Sequence, residues 1–398
     1  MCADRLAVGE APACVQACPN QAIKIKTVSR SEVVSRNALG DASLIPGAPL
    51  SQWTEPSTRY LSASNKAQRL LPVDFTVAKP LHAHWPLVFM LVLTQMALGV
   101  FLIGGLVEWL APAANSFRLT MVNAAAMAFL GLGLNVALLH LGRPLKAYRA
   151  MANLRRSWLS REIAGFNAFA GSATLALLIG VVPFLRSRWG DWQLLMTGAT
   201  VVAGIIAVSC SAMLYIVTGR PLWRSTRTGL LFGGTSVVLG IAGTIFLLGL
   251  TSSAFWKPLI GIVGVTGAIS SMSELRWPMA VQSATLSIAV LIKLWIEYVS
   301  LKQPPSSNEF TSFVLARRLL TREFRSLSTL RLALAGACGV ALPLVIAGLC
   351  LVTVPNAVTM IVLVGVMLGG VFAGEISERY LFFATATARR MPGAPNQH

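Results

Sequence analysis

The sequence predicts an all-α integral membrane helix bundle of about eight transmembrane helices, preceded by a small loop-rich N-terminal segment. Of its 398 residues, 55% are hydrophobic and only 12% are charged, whereas a soluble domain carries about 25% charged residues. The mean hydropathy is +0.67. A net charge of +18 in a soluble protein would indicate a nucleic-acid partner, but here the cations cluster in short loops between apolar runs. We therefore expect the lipid bilayer as a partner, and no nucleic acid.

Eight apolar runs predict the transmembrane helices. Each is long enough to cross a hydrocarbon core of about 30 Å at about 1.5 Å per residue. We expect helices because the backbone groups of a single segment in lipid must find their hydrogen-bond partners within that segment. The runs cover residues 85–110, 119–140, 161–185, 193–217, 229–250, 277–299, 329–353 and 356–384.

The charges of the loops predict how these helices are oriented. With eight spans, the basic loops 141–160, 218–228 and 300–328 all lie on one side, together with both termini. The positive-inside rule places that side in the cytoplasm. A ninth apolar run, 258–273, has 16 residues and several glycines. We interpret it as a re-entrant or interfacial segment, because a ninth span would move the basic 300–328 loop outside.

The polar N-terminal segment, residues 1–80, contains a cysteine pattern typical of iron–sulfur proteins. Cys2, Cys14 and Cys18 lie close together in the chain, and Pro19 follows directly. Thiolates are the usual ligands of iron–sulfur clusters, and ferredoxin-like domains use a final cysteine followed by proline. The ferredoxin pattern also indicates a short strand at Ala22–Ile23. The alternative is three unrelated cysteines.

This ligand set is incomplete for a four-cysteine cluster. The ferredoxin pattern calls for a further cysteine shortly before Cys2, and residues 1–80 contain no other cysteines. We therefore expect a 4Fe-4S cluster only if upstream sequence or a partner supplies the missing ligands. The segment is interpreted as a truncated, ferredoxin-like remnant of an iron–sulfur subunit.

A histidine and a glutamate stand at the ends of two successive apolar runs. His140 ends the second run and Glu162 opens the third, with six cations and no acid between them. A quinol must release two protons as it is oxidised, and an imidazole with a neighbouring carboxylate can accept them. Arg143 and Lys146 would add positive potential for an anionic quinone form. The alternative is an ordinary interfacial histidine and a glutamate that favours a helix N-terminus.

Ionisable side chains inside a membrane are expensive and are therefore candidates for function. We expect Lys293 and Glu297 to neutralise each other, since they are one helical turn apart. Glu108 lies near an outer end and is expected to be solvated. Further ionisable residues lie late in the last span and are expected to pair with other helices: Glu375, Glu378 and Arg379.

The histidine count argues against haem as a cofactor. A di-haem membrane cytochrome needs paired histidines that face each other within the bilayer. The chain has four histidines, and only His140 ends a mid-chain span. We therefore expect no haem.

Three stretches resemble the membrane-anchor subunit family of dimethyl sulfoxide reductase. They are HWPL from His84 together with Thr94-Gln95, the stretch LLHLGRPLKAYRAM from Leu138 with the later LSREIAG, and GEISERYLFF from Gly374. The resemblance covers about residues 82–385. The head, MCADRLAVGEAPACVQACPNQAI, resembles the C-terminal part of an iron–sulfur subunit of the same enzyme class. The chain is thus predicted to divide into an iron–sulfur remnant with linker, 1–80, and an anchor domain, 81–398.

The resemblance implies a complex in the bacterial inner membrane that serves anaerobic respiratory electron transport. A molybdopterin subunit would handle the substrate, an iron–sulfur subunit would carry electrons, and the multi-pass anchor would exchange them with menaquinol or ubiquinol. In the family, a histidine of the His-Leu-Gly motif and a glutamate of the next helix serve the quinol site. These positions correspond to His140 and Glu162, with Lys146 as the basic residue after the motif's proline.

The predicted orientation departs from that of dimethyl sulfoxide reductase, whose motif side faces the periplasm. The most basic loop of this chain contains the motif, which places it in the cytoplasm, as in the anchors of cytoplasmic sulfite-oxidising molybdoenzymes. Two alternatives therefore stay open. One is an anchor that passes electrons from such an enzyme to quinone, and the other is a purely structural anchor.

Overall fold

The computed structural model describes eleven stretches of the chain. They are residues 3–38, 51, 55–59, 80–110, 117–139, 141–142, 144–218, 220, 222–251, 272–302 and 310–386. The chain divides into an N-terminal unit and a second unit, Val77–Ala388, and each is described by itself. The predicted segment at 258–273 falls outside the described residues, apart from its last two.

The N-terminal unit contains three short helices among its described residues, α1 (Ala3–Ala7), α2 (Ala13–Gln16) and α3 (Arg30–Ala38). The strand predicted at Ala22–Ile23 is wrong, because residues 21–29 form no regular structure. The N–H of Ala22 donates to the sulfur of Cys18 at 3.2 Å. That N–H is therefore engaged locally instead of in a β-ladder.

The second unit is a bundle of long helices. The described residues contain eight helices that are long and apolar enough to cross a membrane, so the fold prediction is confirmed. Six of these spans are single helices, and each of the other two is built from two shorter helices. One further short helix, Phe310–Arg318, belongs to no span. In order, the helices are α4 (Trp85–Leu110), α5 (Phe117–Leu138), α6 (Trp158–Val181), α7 (Pro183–Trp189), α8 (Gln193–Ile216), α9 (Ser225–Thr251), α10 (Met272–Lys302), α11 (Phe310–Arg318), α12 (Arg325–Gly336), α13 (Leu342–Val352) and α14 (Ala357–Ala384).

The two composite spans have local causes. Helices α7 and α8 follow each other through a short 3₁₀ turn, Gly190–Trp192, and together form the fourth span, Pro183–Ile216. Helices α12 and α13 are joined by a π-helical turn, Ala337–Ala341, just before Pro343. Proline has no N–H and cannot donate the hydrogen bond of a regular α-helix. The π-helical turn therefore lies where the series of backbone hydrogen bonds along the helix loses the N–H of residue 343.

Helices α4 and α9 form the centre of the bundle. In each of them 72% of the apolar stretch is buried, against 28–44% in the other six spans. They touch backbone to backbone at Gly99 and Gly240: a Cβ built on Gly99 would lie 2.8 Å from the Gly240 Cα. Small residues permit such close approach of membrane helices, where van der Waals contact replaces the hydrophobic effect as the driving force.

The helices alternate in direction, so the bundle has two ends. The end at which α4 and α9 begin also holds the C-terminus of α14: the Leu81 N–H donates to the Ala384 carbonyl at 3.0 Å, and Trp223 Nε1–H donates to the Phe382 carbonyl at 2.9 Å. We call this end the basic face, because the basic loop 141–160 joins the bundle here. The other end is called the opposite face.

Glu108 lies at the opposite face and is not solvated as predicted. It is only 7% exposed, and Arg118 Nε donates to its carboxylate at 2.7 Å. The prediction was wrong because nearness to a run end says nothing about what a neighbouring helix places there. Here α5 begins with a cation beside the end of α4.

An interhelical hydrogen-bond pair joins α5 to α8. Asn123 Nδ2 donates to Thr197 Oγ1 at 3.1 Å, and Thr197 Oγ1 lies 3.2 Å from Asn123 Oδ1. Both side chains are buried. We expect Asn123→Ala to lower the free energy of unfolding by about 1 kcal/mol, as interhelical hydrogen bonds in membranes contribute.

The matched control for this change is Asn135→Ala in the same helix. The Asn135 amide is exposed, and its one hydrogen bond within the described part of the chain goes to Gly131 of its own helix. Denaturant titration of the detergent-solubilised protein gives both values. Equal losses in the two variants would contradict a specific contribution of the Asn123–Thr197 pair.

Candidate functional site

Glu162 lies in the first two turns of α6, at the basic face. Ser157 caps this helix, and its hydroxyl accepts the Ser160 N–H at 3.3 Å. The preceding loop is held against the helix, because Arg161 Nε donates to the Leu154 carbonyl at 2.8 Å. Glu162 is 5% exposed. A carboxylate that the sequence places at a loop end is thus buried between helices.

The surroundings of Glu162 leave its carboxylate without a full set of partners. Helix α6 packs closely on α8, where a Cβ on Gly165 would lie 3.0 Å from the Ala207 Cα. The Ser211 hydroxyl lies beside the Glu162 carboxylate. Neither that hydroxyl nor Glu162 Oε1 has a partner with hydrogen-bond geometry among the described residues. A buried polar atom left unpaired costs free energy, so such an atom calls for a ligand or a proton.

The other members of the predicted quinone site are less completely described. His140 and Arg143 lie outside the described residues. Lys146 lies on a 3₁₀ helix, Pro144–Asn153, and its side chain is exposed. No described contact joins Lys146 to Glu162, so their association stays a prediction. Of the two predicted residues that the structure describes, Glu162 lies in the bundle interior and Lys146 does not.

The predicted iron–sulfur ligands are described for two of the three cysteines. Cys2 lies outside the described residues, Cys14 is exposed and Cys18 is half-exposed, and both described thiols are free. The Ala22 N–H lowers the pKa of the Cys18 thiol below its ordinary value, which favours the thiolate that binds iron. No group of three or more metal-ligating side chains occurs among the described residues. Two thiols fit half of a four-ligand cluster.

A cluster of buried ions between α9, α10, α12 and α14 is a second candidate site. Lys293 on α10 pairs with Glu375 and, at 2.7 Å, with Glu378, both on α14. Thr235 Oγ1 on α9 donates to the Glu375 carboxylate at 2.7 Å. The predicted pair of Lys293 with Glu297 is wrong. Two carboxylates on a facing helix come closer to the ammonium group than the one on its own helix.

Glu297 pairs instead with Arg331 of α12. Arg331 Nη1 donates to Glu297 at 2.6 Å, and Arg331 Nη2 donates to Glu378 at 2.9 Å. The late acids of the last span therefore do pair with other helices, as predicted. The arginine partner was missed, because a residue 34 positions further along the chain cannot be recognised as a neighbour from spacing.

Arg379 extends the cluster to α4. It is 1% exposed, its Nη2 donates to Gln95 Oε1 at 2.9 Å, and its guanidinium lies 4.2 Å from the centre of the Phe232 ring. Cation–π contact offsets part of the desolvation of such a group. Its Nε and Nη1 have no hydrogen-bond partner among the described residues.

The cluster reaches about the middle of the bundle. Lys293 precedes the end of α10 at Lys302 by nine residues, and Glu375 precedes the end of α14 at Ala384 by nine. At 1.5 Å per residue this is about 13 Å from the basic face, in a hydrocarbon core of about 30 Å. Charges at that depth are tolerated only when they are paired. The cluster therefore ties four helices together and can hold a proton or a polar ligand.

A cavity of about 410 Å³ lies beside the ion cluster. Its polar lining includes Glu297, Tyr298, Ser328, Arg331 and Glu378, and most of the remaining wall is leucine and phenylalanine. Glu378 Oε1 has no hydrogen-bond partner among the described residues. An apolar cavity with a few polar groups is the usual form of a small-molecule site.

Comparison with known proteins places this bundle in a family. Residues 80–385 match the family described as "DMSO reductase anchor subunit (DmsC)". The protein is 30% identical over 158 residues to the anaerobic dimethyl sulfoxide reductase chain YnfH of Escherichia coli, which is 39% of this protein and 54% of that one. It is 30% identical over 169 residues to an anaerobic dimethyl sulfoxide reductase chain of Haemophilus influenzae, 41% of this protein and 58% of that one.

A third relative bears another enzyme's name. The protein is 26% identical over 175 residues to a sulfite dehydrogenase subunit of Allochromatium vinosum, which is 40% of this protein and 50% of that one. In these three alignments it spans about half the length of the relatives it matches. The family match covers more than three quarters of the sequence, including all eight apolar helices. The chain therefore belongs to the DMSO reductase anchor subunit (DmsC) family.

Proposed function

We propose that this protein anchors an oxidoreductase complex in the bacterial inner membrane and exchanges electrons with menaquinol or ubiquinol, with Glu162 accepting a quinol proton. One observation carries the proposal: Glu162 is buried at a helix end, and Oε1 of its carboxylate has no partner among the described residues. Membership of the anchor family supports the role in a complex.

The geometry suits a group that accepts and releases a proton. Quinol supplies two electrons and two protons when it is oxidised. Glu162 Oε1 is free to accept a hydrogen bond, and the Ser211 hydroxyl beside it can orient the carboxylate. The packed α6–α8 contact keeps bulk water from the inner side of the carboxylate. The exposed basic loop, with Lys146 among its cations, attracts anionic groups and leads from this end of the helix to solvent.

His140 and Arg143 complete the proposed site from the segment before α6. The His140 imidazole would accept a hydrogen bond from the second hydroxyl of the quinol, and Arg143 with Lys146 would supply positive potential. A molybdopterin catalytic subunit and an iron–sulfur subunit are the proposed partners. Cys2, Cys14 and Cys18 would contribute part of a 4Fe-4S ligand set.

The names of the relatives support two directions of electron flow. Two belong to dimethyl sulfoxide reductases and one to a sulfite dehydrogenase.

We favour a cytoplasmic position for both termini, because the loops of the basic face carry most of the cations. A reporter fused after His398 tests this. Activity of a periplasmic-only reporter would overturn the cytoplasmic assignment.

Binding of a fluorescent quinone analogue tests the quinone site. We expect Glu162→Gln to weaken binding by about tenfold, since a hydrogen bond to a charged group contributes about 1.5–3 kcal/mol, and His140→Ala to weaken it similarly. Glu274→Gln is the control, because Glu274 is an exposed acid in the first turn of α10. Fluorescence quenching in membranes that contain the protein gives the dissociation constants.

The cavity beside the ion cluster offers the analogue a second place to bind. Tyr298→Phe and Ser328→Ala remove polar groups from its wall without removing an ion. Loss of binding in these variants, but not in Glu162→Gln, would move the quinone site to that cavity. Binding unchanged in every variant would overturn both sites, and the absence of specific binding to the wild type would favour a purely structural anchor.

A further inference from the structure

A second cavity, of about 380 Å³, opens at the basic face between the start of α9 and the end of α10. Its described lining holds two guanidinium groups, three hydroxyl groups and no carboxylate. The polar residues are Arg224, Ser225, Thr226, Arg227 and Ser300. A cavity with this lining is electrostatically suited to an anion.

Arg227 is an unusual residue for such a position because it is buried. It is 9% exposed, and its Nη1 donates to the Leu222 carbonyl at 2.6 Å. Its Nε has no hydrogen-bond partner among the described residues. Glu297 and Glu378 lie within electrostatic range of Arg227, yet neither forms an ion pair with it among the described contacts. Arg227 lines both this cavity and the 410 Å³ cavity, so its side chain lies between the two and carries one unpaired N–H there.

The backbone of α9 adds further donors. This helix has 27 residues and begins at Ser225, and the Thr228 N–H bonds back to the Arg224 carbonyl at 2.9 Å. The N–H groups of the three preceding residues have no partner within the helix. Helix N-termini bind phosphate through these N–H groups and through the helix dipole. The start of α9 and the Arg227 guanidinium line the same cavity.

The remaining wall of the cavity is apolar and continues onto the outer surface of the bundle. Trp295 is 66% exposed and Leu230 is 44% exposed, and both line the cavity. Because α9 begins and α10 ends here, the cavity lies at the depth where the head groups of a bilayer meet its acyl chains. A free phosphate ion would use only the polar half of this site.

We propose that this cavity binds an anionic phospholipid, with its phosphate between Arg224 and Arg227 at the start of α9 and its acyl chains along Trp295 and Leu230. Two cations with no acid in the lining select a charged head group over a zwitterionic one, and basic pockets between membrane helices are known to hold such lipids. The bound lipid would join α9 to α10 at the basic face. This site is separate from the proposed quinone site at Glu162, although it shares Arg227 with the 410 Å³ cavity.

Lipid binding to the purified full-length protein tests the proposal. The protein in neutral detergent is titrated with phosphatidylglycerol or phosphatidylcholine, and bound lipid is counted by native mass spectrometry. We expect phosphatidylglycerol to bind more tightly. Each of Arg224→Gln and Arg227→Gln should weaken its binding roughly fivefold, the effect of one cation near a membrane surface. Arg224 is exposed, so its substitution leaves the fold intact even if that of buried Arg227 does not.

Arg188→Gln is the control, since Arg188 is an exposed arginine of α7 at the opposite face. Equal binding of phosphatidylglycerol to wild type and to Arg224→Gln would overturn the proposal. So would equal affinity for the two lipids. A third arm adds inorganic phosphate, and displacement of the lipid by millimolar phosphate would identify a free-anion site instead.

Discussion

Lys293→Met is expected to lower the free energy of unfolding by about 3–5 kcal/mol, as removal of one partner of a buried ion pair does. Lys293 is the cation shared by Glu375 and Glu378, and all three lie within the bundle. Methionine is unbranched and close to lysine in length, so it fills most of the same space. The loss therefore comes mainly from Glu375, which is left without a cation among the described contacts, and not from a void.

Two further variants separate charge from packing. Lys302→Met changes an exposed lysine at the end of the same helix and is expected to have little effect. Adding Glu375→Gln to Lys293→Met should recover part of the loss, because Glu378 still has Arg331 at 2.9 Å. Denaturant titration in detergent measures all three. A loss in Lys293→Met no larger than that in Lys302→Met would show that the cluster does not stabilise the bundle.

Gly99→Ala is expected to cost about 3 kcal/mol or more, at the upper end of overpacking effects. A Cβ at this position would lie 1.8 Å from the Ser236 carbonyl oxygen and 2.8 Å from the Gly240 Cα. Both are backbone atoms of α9 and cannot rotate away. The two central helices would have to separate, which loosens the contact at the centre of the bundle.

Gly131→Ala provides a control of opposite sign. Gly131 is a helical residue of α5, and apart from the neighbouring backbone of its own helix no described atom lies within 4 Å of a Cβ placed there. Alanine is a better helix former than glycine by about 1 kcal/mol, so this variant should be equal to wild type or slightly more stable. Similar melting temperatures for Gly99→Ala and Gly131→Ala would refute the close approach of α4 and α9.

The hydropathy of the sequence predicted the spanning helices well. The polar contacts between the helices were predicted only in part. Each of the eight predicted runs overlaps one spanning helix over most of its length, because the transfer of apolar residues into lipid depends on composition along a short stretch. The strand at Ala22–Ile23 failed because a strand needs a partner elsewhere in the chain. The prediction that Glu108 is solvated was wrong because the cation that pairs with it lies at the start of the next helix.

The candidate quinone site was predicted from a histidine and a glutamate at the ends of two successive apolar runs. Glu162 could be singled out from its place at the start of an apolar run beside a basic loop. Its burial against α8, next to Ser211, could not be predicted, because Ser211 is 49 positions away in the chain. The association with His140 and Lys146 stays a prediction for the binding experiments.

The sequence alone determined that the protein crosses a membrane, where its helices lie and which loops carry the positive charge. These properties are sums over neighbouring residues, so they can be calculated without knowing the fold. The tertiary structure decided which ions pair. Lys293 is four residues from Glu297 yet bonds to carboxylates 82 and 85 residues away. The strength of an ion pair depends on the distance in space between two charges and on their burial, and helix packing sets both.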